Sequence, residues 1–103
     1  MHQSWVYIMT NKRHNVLYVG VTSDLEGRVL EHKKGVHPTA FTLRYQCHEL
    51  VWFQEFDDIE EAIAQEKRIK RWRRAWKDEL IIKLNPEWKD LSDGWYNPRD
   101  LTP

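Results

Sequence analysis

The chain has 103 residues, of which 41% are hydrophobic and 31% charged, and its 16 basic and 16 acidic residues give a formal net charge of zero. This length supports one domain, and no apolar run approaches the roughly 18 residues needed to cross a membrane. The single cysteine, Cys47, excludes an internal disulfide, and no apolar leader opens the chain, so the composition favours a cytoplasmic protein without a membrane partner.

The first predicted elements form a β-hairpin. Residues 4–10 and 16–21 are rich in β-branched and aromatic side chains, and the polar stretch 11–15 between them is typical of a turn. Both strands are apolar on both faces, which predicts that the hairpin is covered on both sides. Gly20 lies inside the second strand, where glycine often marks the close approach of a ligand or another backbone.

The hairpin carries two tyrosines, Tyr7 and Tyr18. Tyr18 shares a strand face with Gly20 because side chains alternate along a strand. We expect Tyr7 to join that face if it pairs directly with Tyr18, and the sequence leaves this register open. Buried tyrosines usually fill a core while the hydroxyl finds one partner, so the pair alone does not indicate a site.

A helix is predicted to follow from Asp24 to Lys34 and to end at Gly35. Ser23 and Glu26 form a capping-box pattern at its start. Within it, Arg28 and His32 are four residues apart and stack on one face beside the apolar stripe. Such a pair is able to bind an anion, although most Arg/His pairs on helix faces are simply solvated.

The remaining elements complete an α+β fold. Residues 36–48 are predicted to be irregular, residues 50–56 to form a third strand, and a long helix to run from Asp57-Asp58 to about Trp72 or Trp76. A further helix over 77–83 is closed by Asn85-Pro86. The order β-β-α-β-α-(α) predicts a small three-stranded antiparallel sheet flanked by helices.

The whole chain, 1–103, is expected to be a single domain with its core over about 4–91 and a tail at 92–103. Aromatic residues of this C-terminal part (Trp88, Trp95 and Tyr96) are enough to dock the tail onto the domain. Exposed, they would instead form a surface for a protein partner or a homodimer.

The long helix contains one residue that breaks its apolar stripe. Positions such as Ala62, Ile63 and Ile69 follow the helical period, and position 66 on the same stripe is Glu66. A carboxylate in an apolar stripe needs a compensating partner because burial disfavours its charged form. That partner is either a neighbouring cation, such as Lys67 or Arg73, or a metal ion.

The zero net charge conceals a strongly basic segment. Residues 65–77 carry seven basic residues against Glu66 alone, and acidic segments lie on both sides, at 51–64 and 78–103. The local field decides binding, so neutrality does not exclude nucleic acid. The predicted phosphate-binding residues are Lys67, Lys70, Arg71 and Arg74, whose alternative role is a solvated helix face.

Together these residues resemble the motifs of the GIY-YIG nuclease superfamily, in particular its small single-domain branch. Trp5-Val6-Tyr7 and Tyr18-Val19-Gly20 are similar to the two motifs that name it. Arg28 and His32 follow at the family's spacing, and Glu66 and Asn85 stand where the family has a glutamate and a late asparagine. The chain departs from the pattern in three places: Trp5 replaces the first motif's glycine, Gly27 replaces a frequent arginine, and Leu43 replaces a frequent lysine.

The resemblance implies a metal-dependent endonuclease that hydrolyses phosphodiester bonds in DNA, structure-directed or non-specific, with a possible place in DNA repair or recombination. It implies one divalent ion, Mg²⁺ or Mn²⁺, held by Glu66. The implied catalytic roles are Arg28 for the phosphate, Tyr7 as base or orienter of water, Tyr18 for positioning and His32 as proton relay. Gly20 and Asn85 support the site. The alternative is a nucleic-acid-binding or interaction module that keeps the fold without the activity.

Overall fold

The computed structural model describes residues 3–36 and 40–101, with three strands, four helices and a short 3₁₀ turn in that part of the chain. In chain order these are β1 (Ser4–Thr10), β2 (Leu17–Thr22), α1 (Leu25–Lys34), α2 (Ala40–Tyr45), β3 (Glu49–Phe56), α3 (Ile59–Arg71), α4 (Arg74–Leu84) and the 3₁₀ turn (Pro98–Leu101). The predicted α+β class and three-stranded antiparallel sheet are confirmed.

Strand β1 is the centre of the sheet, whose order is β2-β1-β3 with both pairs antiparallel. Its alternate residues enter two different cores. Val6 and Ile8 pack in the cluster that includes Ala62 and Ile69 of α3. Tyr7 belongs to the cluster that includes Val29 of α1. The sheet is therefore covered on both faces, as the two-sided apolar pattern of the hairpin predicts.

A β-bulge in β3 keeps both of these cores apolar. Ile8 pairs with Trp52 and Met9 with Leu50, so Val51 is an extra residue between two consecutive pairs. The extra residue returns Leu50 to the face of Met9, where both are fully buried. Val51 packs into the opposite core, beside Ile8. Without the bulge, the start of β3 would point its apolar residues to the wrong sides.

Helix α1 has the predicted limits but a different cap. The Asp24 side chain accepts a hydrogen bond from the Gly27 backbone N–H at 3.0 Å, so Asp24 rather than Ser23 is the N-cap. A larger residue at position 27 would require the Asp24 carboxylate to shift from its present position. The helix ends at Gly35, whose φ of 71° is the left-handed conformation that favours glycine.

Two predicted boundaries are wrong. The segment 36–48 is predicted to be irregular, but residues 40–45 form helix α2. Neither capping residues nor apolar periodicity indicates so short a helix in the sequence. The last helix begins at Arg74 rather than at Lys77, because Trp72 and Arg73 adopt extended conformations with ψ of 148° and 160°. No glycine or proline signals that break. In the described part of the chain, no helix is long and apolar enough to span a membrane.

The chain beyond α4 packs against β3 and α1. The Leu91 backbone N–H donates to the Leu50 carbonyl at 2.7 Å, and the Tyr96 hydroxyl donates to the Glu26 carbonyl at 2.7 Å. Trp88 stacks on the His14 ring with centroids 5.3 Å apart. Since Trp88 and Tyr96 are used inside the domain, the structure favours the docked tail, and a protein partner or homodimer at these aromatics is not supported.

Candidate active site

The register of the hairpin brings Tyr7 and Tyr18 to one face of the sheet. Tyr7 pairs with Gly20, and Tyr18 pairs with Met9. This offset of two residues preserves the face, so the expected direct pairing of the tyrosines is not needed. The two rings are diagonal neighbours with centroids 6.2 Å apart.

Gly20 makes room for the Tyr7 ring. A β-carbon at position 20 would lie 2.6 Å from both Cζ and Oη of Tyr7, closer than real contacts allow. Glycine in this strand therefore marks a close approach, as its position predicts, but the approaching group is an aromatic side chain of the neighbouring strand. Gly20 supports the site by fixing where the Tyr7 hydroxyl lies.

His32 of α1 closes the cluster from the helix side. Its Nε2 lies 2.9 Å from the Tyr7 hydroxyl, in a buried hydrogen bond whose direction depends on the imidazole tautomer. The His32 ring is 5.6 Å from the Tyr7 ring and 5.3 Å from the Tyr18 ring, centroid to centroid. The structure thus joins a phenol and an imidazole by a bond along which a proton can move.

Arg28 lies one turn before His32 on α1 and acts on Tyr7. Burial of Tyr7 raises the pKa of its hydroxyl above the ordinary value, and the nearby Tyr18 raises it further. The charge of Arg28 and its hydrogen bond to Tyr7 lower that pKa but do not offset the burial. Arg28 also forms an ion pair with Glu31, Nε to Oε1 at 3.2 Å, between partly exposed side chains.

Two residues that sequence reasoning missed extend the cluster towards solvent. Phe41 of α2 packs against Tyr18 with ring centroids 6.0 Å apart, and Tyr45 packs against Phe41 at 4.9 Å. Both are exposed. A spacing of four residues places two rings on one face of a helix, so this signal was usable only if the segment was already known to be helical. The guanidinium of Arg44 lies 5.4 Å from the Tyr45 ring centre.

Glu66 occupies the position on α3 that its sequence pattern predicts. It lies on the helix face between the buried Ala62 and Ile69, and its side chain is 13% exposed. Its compensating cation is Lys70, with Nζ 2.9 Å from Oε2, rather than Lys67 or Arg73. Helix α3 packs on the face of Val6 and Ile8, opposite to the tyrosines. No contact among the described side chains joins Glu66 to the tyrosine cluster.

The Glu66 carboxylate suits a hard cation, such as Mg²⁺, that takes few of its ligands from the protein. Mg²⁺ is typically held by one or two carboxylates and otherwise by water and phosphate. The Lys70 side chain that pairs with Glu66 is 50% exposed, so it can move aside when a stronger cation binds. Within residues 3–36 and 40–101, no three His, Cys, Asp or Glu side chains are grouped as metal ligands, and a site built from protein ligands alone is not found there.

Asn85 is a structural brace at the end of α4. Its buried amide donates to the carbonyls of Val51, at 3.1 Å, and Lys89, at 2.7 Å. Its Oδ1 accepts from the Lys89 backbone N–H at 3.0 Å. These bonds tie the end of the helix to β3 and to the following turn, and they use both ends of the side chain. Asn85 therefore supports the fold around β3 without a described contact to the tyrosines.

The four predicted phosphate-binding residues differ in their surroundings. Lys67 and Arg71 are exposed on α3 and line a shallow groove, whereas Lys70 holds Glu66. Arg74 binds the hairpin turn and is not free for phosphate. Its Nη2 donates to the His14 carbonyl at 2.6 Å and its Nη1 to the Asn15 carbonyl at 3.0 Å. Its Nε donates to Asp78 at 2.7 Å.

Comparison with known proteins gives consistent results. Residues 3–79 match the model of the GIY-YIG catalytic domain. A UPF0213 protein of Syntrophus aciditrophicus is 33% identical over 87 residues, covering 84% of this chain and 98% of that protein. One of Bacillus pumilus is 31% identical over 86 residues, covering 84% and 86%.

The fold is also that of a solved relative. The solution NMR structure of a UPF0213 protein from Bacillus halodurans superposes with a TM-score of 0.53 at 22% identity, covering 92% of this chain and 99% of that one. The family model covers most of the chain, and the two relatives are matched over 98% and 86% of their length. The chain therefore belongs to the GIY-YIG nuclease family, and its relatives are the small UPF0213 proteins of that family.

Proposed function

We propose that this protein is a metal-dependent endonuclease that hydrolyses phosphodiester bonds of DNA. The observation that carries the proposal is the buried hydrogen bond between Tyr7 and His32, beneath Tyr18 and beside Arg28. A buried phenol–imidazole pair next to a guanidinium combines a proton path with a group that neutralises developing negative charge. Membership of a nuclease family supports the same chemistry.

Arg28 is the group that binds the scissile phosphate. Its present partner, Glu31, is a partly exposed carboxylate in an i, i+3 pair, an arrangement worth little in free energy. A phosphate offers the guanidinium fork two oxygens at once and competes well with a single carboxylate contact. Bound in this way, Arg28 stabilises the extra negative charge that builds on the phosphate oxygens in the transition state.

The two tyrosines have different tasks. Tyr7 is fully buried and its pKa is raised by burial, so at neutral pH it is a neutral hydrogen-bonding group rather than a phenolate base. Its hydroxyl orients His32 and passes a proton to Nε2 while it receives one that comes from the attacking water, so Tyr7 stays neutral and His32 carries the charge. Tyr18 keeps part of its surface exposed, so it is the phenol that orients the attacking water and the phosphate.

Glu66 is the residue that would hold the divalent ion, Mg²⁺ or Mn²⁺, in exchange for its pair with Lys70. A bound ion of this kind supplies positive charge that stabilises the phosphate and the departing oxygen. The release of Lys70 on metal binding would add one cation to the exposed face of α3. Glu66 thus links the metal site to the basic helix that tracks the nucleic-acid backbone.

The surroundings of Tyr18 favour DNA with unpaired nucleotides. Phe41 and Tyr45 present exposed aromatic faces next to Tyr18, and bases released from a duplex stack on such faces. The basic residues of α3, led by Lys67 and Arg71, would contact the phosphate backbone without reading sequence. Substrates with unpaired segments arise during repair and recombination, which is the cellular setting we propose.

Cleavage of single-stranded and duplex DNA with Mg²⁺ or Mn²⁺ tests this proposal. We expect the unaltered protein to cut the single strand faster than the duplex. Arg28→Ala should lower kcat by about 10²- to 10³-fold, because it removes charge stabilisation from the transition state. Glu66→Gln should abolish the metal-dependent rate, whereas Glu61→Gln, an exposed carboxylate on the same helix, should leave it unchanged.

The alternative, a binding module without activity, predicts a different result. In that case no substrate is cut with either metal, while DNA binding persists in the Arg28 and Glu66 variants. Full activity of both variants would also contradict the proposal. Circular dichroism spectra and thermal unfolding of each variant separate loss of chemistry from loss of fold.

A further inference from the structure

A second pocket, of about 300 Å³, lies at the N-terminal end of α1. Its walls are the aromatic rings of Trp5, Phe53 and Trp95, and its rim carries the carboxylates of Asp24 and Glu26. The first turn of α1 is about 10 Å along the helix axis from His32, at 1.5 Å per residue. The pocket is therefore separate from the tyrosine–histidine cluster, and the nuclease chemistry does not use it.

Aromatic side chains from β1, β3 and the segment after α4 build the walls. Trp5 stands where the first family motif has glycine, and its ring supplies one wall. Phe53 of β3 supplies the second. Trp95 supplies the third, edge-on to Phe53 with centroids 6.2 Å apart, and remains 38% exposed. The neighbouring Tyr96 holds the tail in place through its bond to the Glu26 carbonyl.

The rim gives the pocket a negative field. Asp24 and Glu26 are exposed, and no lysine or arginine lines the pocket. The Glu26 carboxylate makes no ion pair or hydrogen bond with a described residue. The N-terminus of α1 contributes about half a positive charge, which two carboxylates outweigh. A phosphate or a carboxylate ligand is disfavoured here, and a cation is favoured.

The combination of aromatic faces and negative charge indicates an organic cation rather than a metal ion. Ring faces attract ammonium groups, and alkylated ammonium ions are bound in cages of this kind. A metal ion would find only two carboxylates, one of which already caps α1 through its bond to Gly27. At about 300 Å³ the pocket is at the small end of ligand sites.

We propose that this pocket binds a small organic cation with an alkylated ammonium head. The head lies among Trp5, Phe53 and Trp95, and its charge faces Asp24 and Glu26. The proposal does not depend on nuclease activity, since it concerns a different surface and a different ligand. It gives Trp95 a role in ligand binding rather than in a protein–protein interface.

Choline chloride is the probe for this site, and 3,3-dimethylbutan-1-ol is its uncharged analogue of nearly equal shape. Both are titrated into the isotopically labelled protein at constant ionic strength while the tryptophan indole N–H signals are followed by NMR. We expect saturable shifts of two indole signals, those of Trp5 and Trp95, with choline. The uncharged analogue and an equal concentration of sodium chloride should produce no saturable shift.

Two variants and a matched control locate the binding. Glu26→Gln removes charge but keeps the backbone carbonyl that holds Tyr96, and it should weaken choline binding by roughly fivefold to tenfold. Trp95→Ala removes a wall and should abolish binding. Glu61→Gln removes one negative charge from exposed α3 and should leave binding unchanged.

The proposal fails if choline shifts no indole signal, or if the uncharged analogue binds as tightly as choline. It also fails if Glu26→Gln and Glu61→Gln weaken binding equally, because the attraction would then come from overall charge. A nuclease assay on the Trp95→Ala variant keeps the two proposals apart, since cutting of DNA should persist when choline binding is lost.

Discussion

Gly20 and Tyr7 fit together as a residue pair across two strands. Because residue 20 has no side chain, the Tyr7 ring can occupy the space next to its backbone, and from there the Tyr7 hydroxyl bonds to His32. The strand position of Gly20 predicts a close approach, but only the register reveals that a tyrosine makes it. The position of the Tyr7 hydroxyl thus depends on the absence of a β-carbon at position 20.

Gly20→Ala should destabilise the fold by about 1–3 kcal/mol, because the new methyl group forces the Tyr7 ring out of its site. Urea unfolding measures the change in free energy. In a Tyr7→Ala background the ring is gone, and the same substitution should cost much less. Equal destabilisation in both backgrounds would show that the ring is not the cause.

At the scale of elements, the Asp90 carboxylate joins the segment after α4 to two other elements of the fold. Asp90 Oδ2 pairs with Lys33 of α1 at 2.6 Å, and Oδ1 accepts from the Leu50 backbone N–H at 3.1 Å and from Ser92. Burial raises the pKa of Asp90, but the hydrogen bonds from Lys33, Ser92 and Leu50 outweigh it and the net pKa is lowered. Helix α1, strand β3 and the tail therefore meet at this group.

Asp90→Asn should lower the free energy of unfolding at pH 7 by about 2 kcal/mol, because a partly buried lysine loses its counter-charge. A carboxyl with a lowered folded-state pKa stabilises above its unfolded pKa of about 4, and the effect fades as the pH falls through the folded value. The difference between the original and variant proteins should therefore begin to shrink as the pH falls below about 4. Thermal unfolding from pH 7 to pH 3 measures this.

The control for that experiment is Asp93→Asn, which changes an exposed carboxyl three residues away. It should leave the melting temperature at pH 7 within error of the original. A constant gap between Asp90→Asn and the original protein at every pH would contradict the assignment, since the ion pair could not then be its source.

At the scale of the molecule, charge is separated along the chain although the total is zero. The basic α3 and the start of α4 offer a short cationic surface, while the rim at the start of α1 is acidic. Not every basic residue on that surface is available to DNA. Arg71 is exposed in a groove, but Arg74 clamps the hairpin turn and lies 6.0 Å from the Trp88 ring centre.

Arg71→Ala and Arg74→Ala should therefore separate binding from folding. Arg71→Ala should weaken DNA binding and reduce the slope of log affinity against log salt by roughly 0.7–0.9, as for one lost phosphate contact, with the melting temperature unchanged. Arg74→Ala should lower the melting temperature with little change in the slope. Salt titrations by fluorescence anisotropy, paired with thermal unfolding, measure both; the reverse pattern would assign Arg74 to the DNA surface.

Much of this fold follows from local pattern. The hairpin, the end of α1 at Gly35 and the third strand all depend on residues close in sequence, and the structure confirms them, although the N-cap of α1 is Asp24 and not Ser23 of the predicted capping box. Helix α2 and the break at Trp72 could not be predicted, because contacts with Tyr18 and the rest of the core hold those segments rather than propensity.

The candidate site was predictable to a similar extent. Motif spacing indicates Tyr7, Tyr18, Arg28 and His32, and the structure places them around one hydrogen bond. The role of Arg74 could not be predicted, because a helix pattern does not show which carbonyls a distant turn presents to it. That Glu66 acts together with this cluster stays a prediction, because Glu66 and the tyrosines lie on opposite faces of the sheet. A bound metal ion and DNA would have to connect them.

The central position of β1 has a consequence for motion. Its backbone is bonded on both edges and its side chains are buried on both faces, so its amide hydrogens can exchange with solvent only when most of the molecule opens. Tyr7 therefore lies on the strand whose amide hydrogens we expect to exchange most slowly. The exposed face of α3 lies at the periphery, where local opening costs less free energy. The Tyr7 hydroxyl that bonds to His32 is therefore expected to be held more rigidly than the exposed side chains of α3.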